Sequence, residues 1–473
     1  MQTPPTLTPL GEPESTPRTQ TPDTLASHVP RPDVPKALLA PTPIFPEGGL
    51  RAWATVAGAV IVQFCGFGYI TSYGVYQDFY TRDYLTQSSS SAISWIGSIS
   101  AFILISGGLV SGRLFDRGHF YLLLCGGSFL QCFSLFMLSL CGREQYYQIF
   151  LAQGLGLGIG AGTVYIPSIA IVSHYFQKRR ALAMTIVASG SSLGAVIHPI
   201  MLNNTFHSLG FANAVRASAG LVSGLLLISC LLMRTRYPPT TPHIPFWKSL
   251  PRFARDKPYV YAVIGMATYT IGFYFPLFYL QLDAITHGIN KTLSFYSLVI
   301  MNAASFVGRL SPGFFAHRFG VPEMVAASGG VGAVLILCMI ALKSVASVVV
   351  LGVLYGYSAG IFVTLMAPIF SVLTDDVGEL GQVYLKADIS YILIISRTAS
   401  EWVSASAWSL SEDSLDHQLT APYSPATSYG GVRRCSAGLM ASVGFVSFLA
   451  TVVAVRNKKK TLAVRNENEK GKA

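Results

Sequence analysis

The sequence predicts an all-α membrane protein, a twelve-helix bundle built as two six-helix halves. Only 12% of the 473 residues are charged, whereas a soluble domain carries about 25%. Those charges concentrate at the two ends and between long apolar stretches. Each apolar stretch has roughly the 20 residues that a helix needs to cross the hydrocarbon core.

The first half of the bundle follows a polar leader. Residues 1–50 are rich in Pro and Thr, a composition that cannot bury a core, so we expect a disordered cytoplasmic tail. Residues 51–233 then contain six apolar stretches and form the predicted N-terminal half. The six predicted spans are 53–77, 93–113, 119–141, 146–172, 181–203 and 211–233.

A polar linker, 234–258, separates this half from the predicted C-terminal half, 259–455. Four spans are predicted at 259–282, 293–315, 322–343 and 347–373, with a further one at 435–455. Residues 383–434 are atypical, because Lys386, Asp388, Arg397 and Glu401 interrupt the only apolar stretch there. Residues 456–473 form a basic tail, which we expect in the cytoplasm.

The distribution of positive charge predicts the orientation. If both ends lie in the cytoplasm, most of the 33 Lys and Arg residues fall on the cytoplasmic side, as the positive-inside rule requires. Both ends inside require an even number of spans, so a twelfth is expected within 383–434. Two glycosylation sequons, at Asn203 and Asn290, fall where this arrangement predicts outside loops.

Composition and motifs exclude several classes of function. The net charge is +11, and many of the Lys and Arg residues that produce it lie between apolar spans. This placement favours contact with a lipid bilayer over contact with nucleic acid. The seven cysteines form no CxxC pair, and we predict neither a metal site nor a cofactor. The sequence contains no hydrolase motif and no nucleotide-binding loop. We therefore expect that the protein is not an enzyme and that ATP does not drive it.

A short glycine-bounded loop after the second span carries alternating charges, Gly112-Arg-Leu-Phe-Asp-Arg-Gly118. Arg113, Asp116 and Arg117 are candidate gating residues, with plain surface charge as the alternative. This loop and the layout of six plus six spans resemble the major facilitator superfamily. That resemblance implies nested three-helix repeats, a small-molecule substrate bound near the midplane, and alternating access.

Four further motifs, in order along residues 46 to about 382, resemble the monocarboxylate porter branch in its fungal form. They are Pro46-Glu-Gly-Gly49 with Trp53, Gln153-Gly154 with the glycine series to Gly162, Tyr175 to Ala183 followed by Ser189 to Gly194, and Asn302 to Gly313. The glycine series is typical of tight helix packing rather than of a binding site.

The chain also departs from that branch. His317 stands where the second half would repeat Asp116. Arg309 matches an arginine of the animal monocarboxylate carriers, but Ser305 and Thr71 replace the aspartate and the lysine that accompany it. The resemblance therefore does not imply a lactate–proton symporter.

Arg309 is the cation placed well within a strong span, which makes it a candidate for binding an anionic group. The alternative is that its long side chain reaches the cytoplasmic interface. Other polar residues of the spans are expected to line the substrate pathway: Asn302, Tyr73, Gln153, Tyr165, Tyr269 and Tyr274. His198 either titrates or serves as an interhelical hydrogen-bond donor.

Three functions remain open on this basis. The first is uptake of a monocarboxylate or a related small organic solute, and the second is export of a fungal secondary metabolite. The third is a membrane sensor that transports nothing. A carrier without ATP would use an ion gradient, with a co-transported proton as the candidate partner, or downhill flow. We expect a multi-pass protein of the plasma membrane or, as the alternative, of the vacuolar membrane.

Overall fold

The computed structural model describes residues 47–177, 179–236, 256–286, 290–339, 342, 344–373 and 425–470. Its regular structure in these ranges is entirely helical. The first four long helices are α1 (Leu50–Tyr84), α2 (Ser90–Asp116), α3 (Phe120–Leu138) and α4 (Tyr146–His174).

One continuous helical stretch, Arg180–Leu232, has 53 residues and would be about 80 Å long if straight. It is broken at Gly210, whose φ of 73° and ψ of 169° lie outside the helical region. Glycine tolerates this backbone conformation because it has no Cβ. The stretch therefore comprises two spans, α5 (180–209) and α6 (211–232).

The second half of the chain contributes five described helices. They are α7 (Lys257–Thr286), α8 (Lys291–Phe319), α9 (Val321–Cys338), α10 (Val345–Leu373) and α11 (Pro425–Lys470). Eleven helices are thus described, each of them overlapping one of the eleven predicted spans. The prediction of a twelfth span lies largely outside the described residues, which omit 374–424.

The buried side chains form two separate hydrophobic cores. The first draws on residues between Ala52 and Met233, and the second on residues between Tyr259 and Val452. The first core lies within residues 51–233 and the second within residues 259–455. Each half therefore buries its own apolar side chains, and the contact between the halves is a distinct seam.

Glycines let helices approach closely within each half. A Cβ on Gly308 of α8 would clash with the backbone carbonyl of Tyr357 on α10, and one on Gly360 would clash with that of Ser305. In the N-terminal half, Gly190 of α5 meets the carbonyl of Val60 on α1 in the same way. Small residues at such crossings allow tight packing between membrane helices.

A carboxylate joins two connections at the end of the N-terminal half that the charge distribution predicts to be outside. Glu144, between α3 and α4, accepts hydrogen bonds from the backbone N–H and the hydroxyl of Thr86, at 2.9 and 2.8 Å. It also accepts one from the N–H of Gln87 at 3.2 Å. These donors stabilise the charged form and lower the pKa of Glu144.

Two placements differ from the sequence-based expectations. The sequon at Asn203 was expected in an outside loop, but α5 continues past it, so that Asn203 to Thr205 are helical. The last span was expected to begin at 435, yet α11 begins at Pro425, where a polar sequence continues the helix beyond its apolar part. Asn290 precedes α8 and is exposed, and its glycosylation stays a prediction.

We predict that Gly308→Ala destabilises the C-terminal half by about 1–3 kcal/mol, the usual cost of overpacking a tight contact. The added methyl group would clash with the Tyr357 carbonyl, which the α10 backbone holds in place. Thermal unfolding of the purified protein in detergent measures the effect. Gly224→Ala on α6 is the matched control, because a Cβ there meets nothing within 4 Å. Equal melting temperatures for the two variants would contradict the prediction.

We also predict that Glu144 contributes stability that depends on pH. Because its pKa is lower in the folded protein, this stability is present above the unfolded pKa of about 4.3 and disappears as the pH falls through the folded pKa. Glu144→Gln should therefore melt below the wild type at neutral pH, and the difference should shrink at acidic pH. Asp83→Asn, a nearby exposed carboxylate, is the control. A difference that is independent of pH would contradict this reading.

Candidate functional site

Arg309 lies on α8 at the seam between the two halves, and only 9% of its surface is exposed. Its Nη1 donates hydrogen bonds to the carbonyl of Ala188 at 3.0 Å and to the hydroxyl of Ser191 at 2.6 Å, both on α5. The side chain therefore reaches across the seam. This geometry does not fit the alternative in which Arg309 extends to the cytoplasmic interface.

Small residues surround the arginine along the same seam. The hydroxyl of Ser192 donates to that of Ser305 at 3.3 Å. Nearer the end of α8, Gly313 lies against Leu182 and Thr185 of α5. These contacts lie in the parts of α5 and α8 that the charge distribution predicts to be nearer to the cytoplasm. They form a contact between the halves that a rocking motion would have to open.

Asn302 lies on the same face of α8 as Ser305 and Arg309, because residues spaced by three, four and seven share one face of a helix. Its side chain is half-buried, and its amide nitrogen donates to the carbonyl of Leu298 at 3.0 Å. Asn302, Ser305 and Arg309 thus form a polar row along the helix that meets the N-terminal half.

A small cavity opens within the N-terminal half, between α1, α2 and α4. Tyr73 and Gln153, both predicted for the substrate pathway, line it together. The other lining residues are Tyr69, Ile70, Gly97, Ser100 and Leu157. The cavity is about large enough for one water molecule.

The lining of this cavity is held in place by specific contacts. The ring of Tyr73 lies directly over Gly97, where any Cβ would clash with it, and its hydroxyl donates to the carbonyl of Ile93. Gln153 is buried and accepts a hydrogen bond from the hydroxyl of Tyr80 at 2.6 Å. The buried hydroxyl of Ser100 has no hydrogen-bond partner among the described residues.

The remaining predicted tyrosines occupy different places. The ring of Tyr165 on α4 stacks on Phe67 of α1, with centroids 6.0 Å apart. Tyr269 is fully buried in the C-terminal core, where Gly332 and Gly444 leave room for it. Tyr274 is half-buried on α7. The structure therefore does not gather all the predicted pathway residues at one point.

The candidate gating residues lie at the end of α2. Arg113, Asp116 and Arg117 are exposed, and Gly118, with φ of 89°, ends the helix. The N–H of Gly118 bonds to the Phe115 carbonyl and the N–H of the next residue to that of Leu114, which is the Schellman pattern. Glycine suits position 118 because the backbone there has a positive φ, which residues with a Cβ rarely adopt.

Two of the sequence motifs meet in space. Glu47, of the segment before α1, accepts hydrogen bonds from the N–H groups of Gln177 at 2.9 Å and Arg179 at 3.1 Å. The ring of Trp53 packs edge-on against Phe176 at 5.3 Å. The segment before α1 therefore fastens the connection between α4 and α5, directly before the helix that receives Arg309.

Ser191 and Ser192 were not predicted as functional residues. They lie in a run of small residues, Ser189 to Gly194, which is part of the motifs that resemble the fungal monocarboxylate porter branch. A signal was present in principle, because hydroxyls in such a run often hydrogen-bond between membrane helices. Their partners on α8 are more than a hundred positions away, and no local pattern identifies them.

Comparison with known proteins identifies a family and several relatives. The sequence profile of the Major Facilitator Superfamily matches residues 55–385. The aspyridones efflux protein apdF of Emericella nidulans is 40% identical over 317 residues, which cover 67% of this chain and 64% of that protein. The match thus spans slightly less than two thirds of this relative's length.

Two other relatives carry similar names. The agnestins efflux protein AgnL12 of Paecilomyces divaricatus is 38% identical over 67% of this chain and 72% of its own length. The fujikurins efflux protein of Gibberella fujikuroi is 36% identical over 71% of this chain and 72% of its own.

A solved structure shares the fold. The Major Facilitator Superfamily transporter FucP, in the outward conformation, superposes with a TM-score of 0.58 at 14% identity, covering 85% of this chain and 98% of that one. This likeness concerns the fold alone.

We predict that cysteines at positions 192 and 305 cross-link the two halves, since the two serine hydroxyl oxygens are 3.3 Å apart. A protease site inserted within 237–255 allows the chain to be cut between the halves. After cleavage, Ser192→Cys/Ser305→Cys should keep both fragments joined until reductant is added. Each single variant, which retains the seven native cysteines, is the control. Fragments that separate without reductant would show that these positions do not meet.

Proposed function

Because the chain belongs to the Major Facilitator Superfamily, we propose that it is a secondary transporter that exports a small organic metabolite. The observation that carries this proposal is the set of relatives whose names include the word efflux, at 36% to 40% identity. Their matches cover 67% to 71% of this chain. Export of a secondary metabolite is therefore favoured over a sensor that transports nothing.

The seam between α5 and α8 supports transport by alternating access. Each half has its own core, so the halves can rotate without exposing those cores. Arg309 and Ser305 of α8 make hydrogen bonds with α5, and Gly313 lies against it without a side chain. Such contacts can break and reform more readily than an interlocked apolar interface, which suits a gate.

The chemistry of the lining supports a substrate with an aromatic or extended apolar body. Tyr69 and Tyr73 offer aromatic surfaces, and Ser100 and Gln153 offer polar groups beside them. When the seam opens, Arg309 would leave Ala188 and Ser191 and become available to an anionic group. We therefore propose a metabolite that carries an acidic or enolic oxygen, which a guanidinium binds with two N–H groups.

A second candidate is uptake of a monocarboxylate, which Arg309 favours through its match to the arginine of the animal carriers. The same two-donor contact would hold a carboxylate. Ser305 and Thr71 stand where those carriers have their aspartate and lysine, so proton coupling would require another residue. A transport panel that includes simple monocarboxylates separates the two candidates.

Coupling to a proton gradient and residence in the plasma or vacuolar membrane complete the proposal. The sequence contains no nucleotide-binding loop, so an ion gradient is the available source of energy. Arg113, Asp116 and Arg117 would act in gating from the exposed end of α2. Glycosylation of Asn290 would accompany an outside position of the connection before α8.

We predict that Arg309→Ala lowers transport at limiting substrate at least tenfold, since a hydrogen bond to a charged group contributes about 1.5–3 kcal/mol. Arg309→Lys should retain part of the activity, because lysine keeps the positive charge but lacks the two parallel N–H donors of the guanidinium. The measurement is efflux of a labelled metabolite panel from cells, followed by flux in proteoliposomes. A role in substrate binding should appear mainly in KM.

Two control variants distinguish substrate binding by Arg309 from its structural role at the seam between the halves. Ser191→Ala removes a partner of Arg309 on α5 without altering the charge, and should change the maximal rate more than KM. Arg82→Ala removes an exposed cation that pairs with Asp78 at 2.8 Å and should behave as the wild type. Wild-type kinetics for both Arg309 variants would eliminate the substrate role, and no flux of any panel member would contradict transport itself.

A further inference from the structure

His198 is the imidazole buried at the contact between α5 and α1. Its side chain is fully buried. The ring of Phe64 lies 4.5 Å away and that of Tyr69 lies edge-on at 5.0 Å, between ring centroids. Neither ring nitrogen makes a hydrogen bond of ordinary geometry with the described residues, although the backbone of Phe64 lies close enough to interact with the ring.

Tyr69 connects this imidazole with the cavity. It lines the cavity between α1, α2 and α4, and its ring is also the edge that meets His198. Its hydroxyl is hydrogen-bonded to that of Tyr76 at 2.6 Å and receives one from Ser218 of α6 at 3.1 Å. One aromatic side chain therefore separates His198 from the space where polar groups converge.

The backbone around His198 is interrupted on both helices. The α1 helix breaks at Gly66, where φ is −86° and ψ is −90°. On α5, Pro199 lacks the N–H that would bond to the carbonyl of Ala195. Gly194 allows α1 to lie directly against α5, because a Cβ there would meet the Phe64 carbonyl. A shift of α1 would thus open the contact that buries the imidazole.

The groups that face His198 carry no charge near neutral pH. They are Tyr69 from α1 and, through its hydroxyl, Tyr76 and Ser218. The nearest charge that the contacts identify is Arg309, which binds Ser191 two helical turns earlier on α5, about 10 Å away. The acidic side chains that the structure describes lie near helix ends or in connections, at positions 47, 78, 83, 116, 144, 256 and 323.

We propose that His198 is the proton-binding residue of the transport cycle. In the closed arrangement the imidazole is neutral, because an unpaired charge cannot be buried there without a large cost. When α1 moves and water reaches the ring, His198 takes up a proton. It must release that proton before the contact closes again. The proposal rests on the proposed function and adds to it the site of coupling.

The test uses the full chain in proteoliposomes with a substrate that the wild type moves. Two readouts are compared, namely accumulation driven by an imposed pH gradient and counterflow exchange without a gradient. His198→Gln should lose at least tenfold of the driven accumulation and keep counterflow within about threefold. His207→Gln, an exposed histidine nine positions further along α5, should retain both.

The outcomes distinguish this proposal from the function on which it depends. The role of His198 would be overturned if His198→Gln accumulated substrate under a pH gradient as the wild type does. It would also be overturned if accumulation by the wild type did not respond to the gradient. Either result would leave transport itself intact. Absence of wild-type counterflow would overturn the proposed function.

A second measurement needs no variant at position 198, in case His198→Gln does not fold. Diethyl pyrocarbonate should modify His198 of the wild type during turnover, as read by peptide mass. Modification of His207 with none at His198 would show that water never reaches the imidazole.

Discussion

Close approach of helix backbones is the constraint on which the rest of this structure depends. Within lipid, helices gain little from burying apolar side chains, so packing at small residues holds them together. Gly190 admits the backbone of α1, and Gly308 and Gly360 join α8 to α10. Each half closes on itself in this way and keeps its own core, while α8 also packs against α5 at the seam between the halves, where Arg309 and Ser305 make hydrogen bonds.

Hydropathy was sufficient to predict the eleven spans within the described residues, because each apolar stretch must match the hydrocarbon thickness. It did not predict the break at Gly66 or the polar end of α1, which continues to Tyr84. Those features depend on tertiary contacts, such as the bond from Gln131 to the carbonyl of Cys65 at 2.7 Å. The helix α5 also runs through Asn203, where the sequence suggested a loop.

The candidate site divides in the same way between what sequence could and could not predict. Arg309 was recognisable as a candidate, since a cation within a strong span is costly and is a functional hypothesis by default. Its partners Ala188 and Ser191 were not, because no local pattern relates positions 118 to 121 residues apart. Tyr73 and Gln153 line one cavity, whereas Tyr269 is buried in the C-terminal core. A tyrosine in a span reads the same in sequence whether it faces a pathway or another helix.

The chain reversal at Gly210 sets the relative positions, along the helix axes, of two residues that both contact Tyr69. His198 lies twelve positions before the reversal, or about 18 Å along α5, and Ser218 eight positions after it, about 12 Å along α6. The difference, about 6 Å, is close to the length of a tyrosine side chain. Because Gly210 alone connects the two helices, the hairpin fixes both contacts of Tyr69 at once, that of its ring with His198 and that of its hydroxyl with Ser218. Inserting a single residue in this turn would shift one helix relative to the other, so that the two contacts could no longer form together.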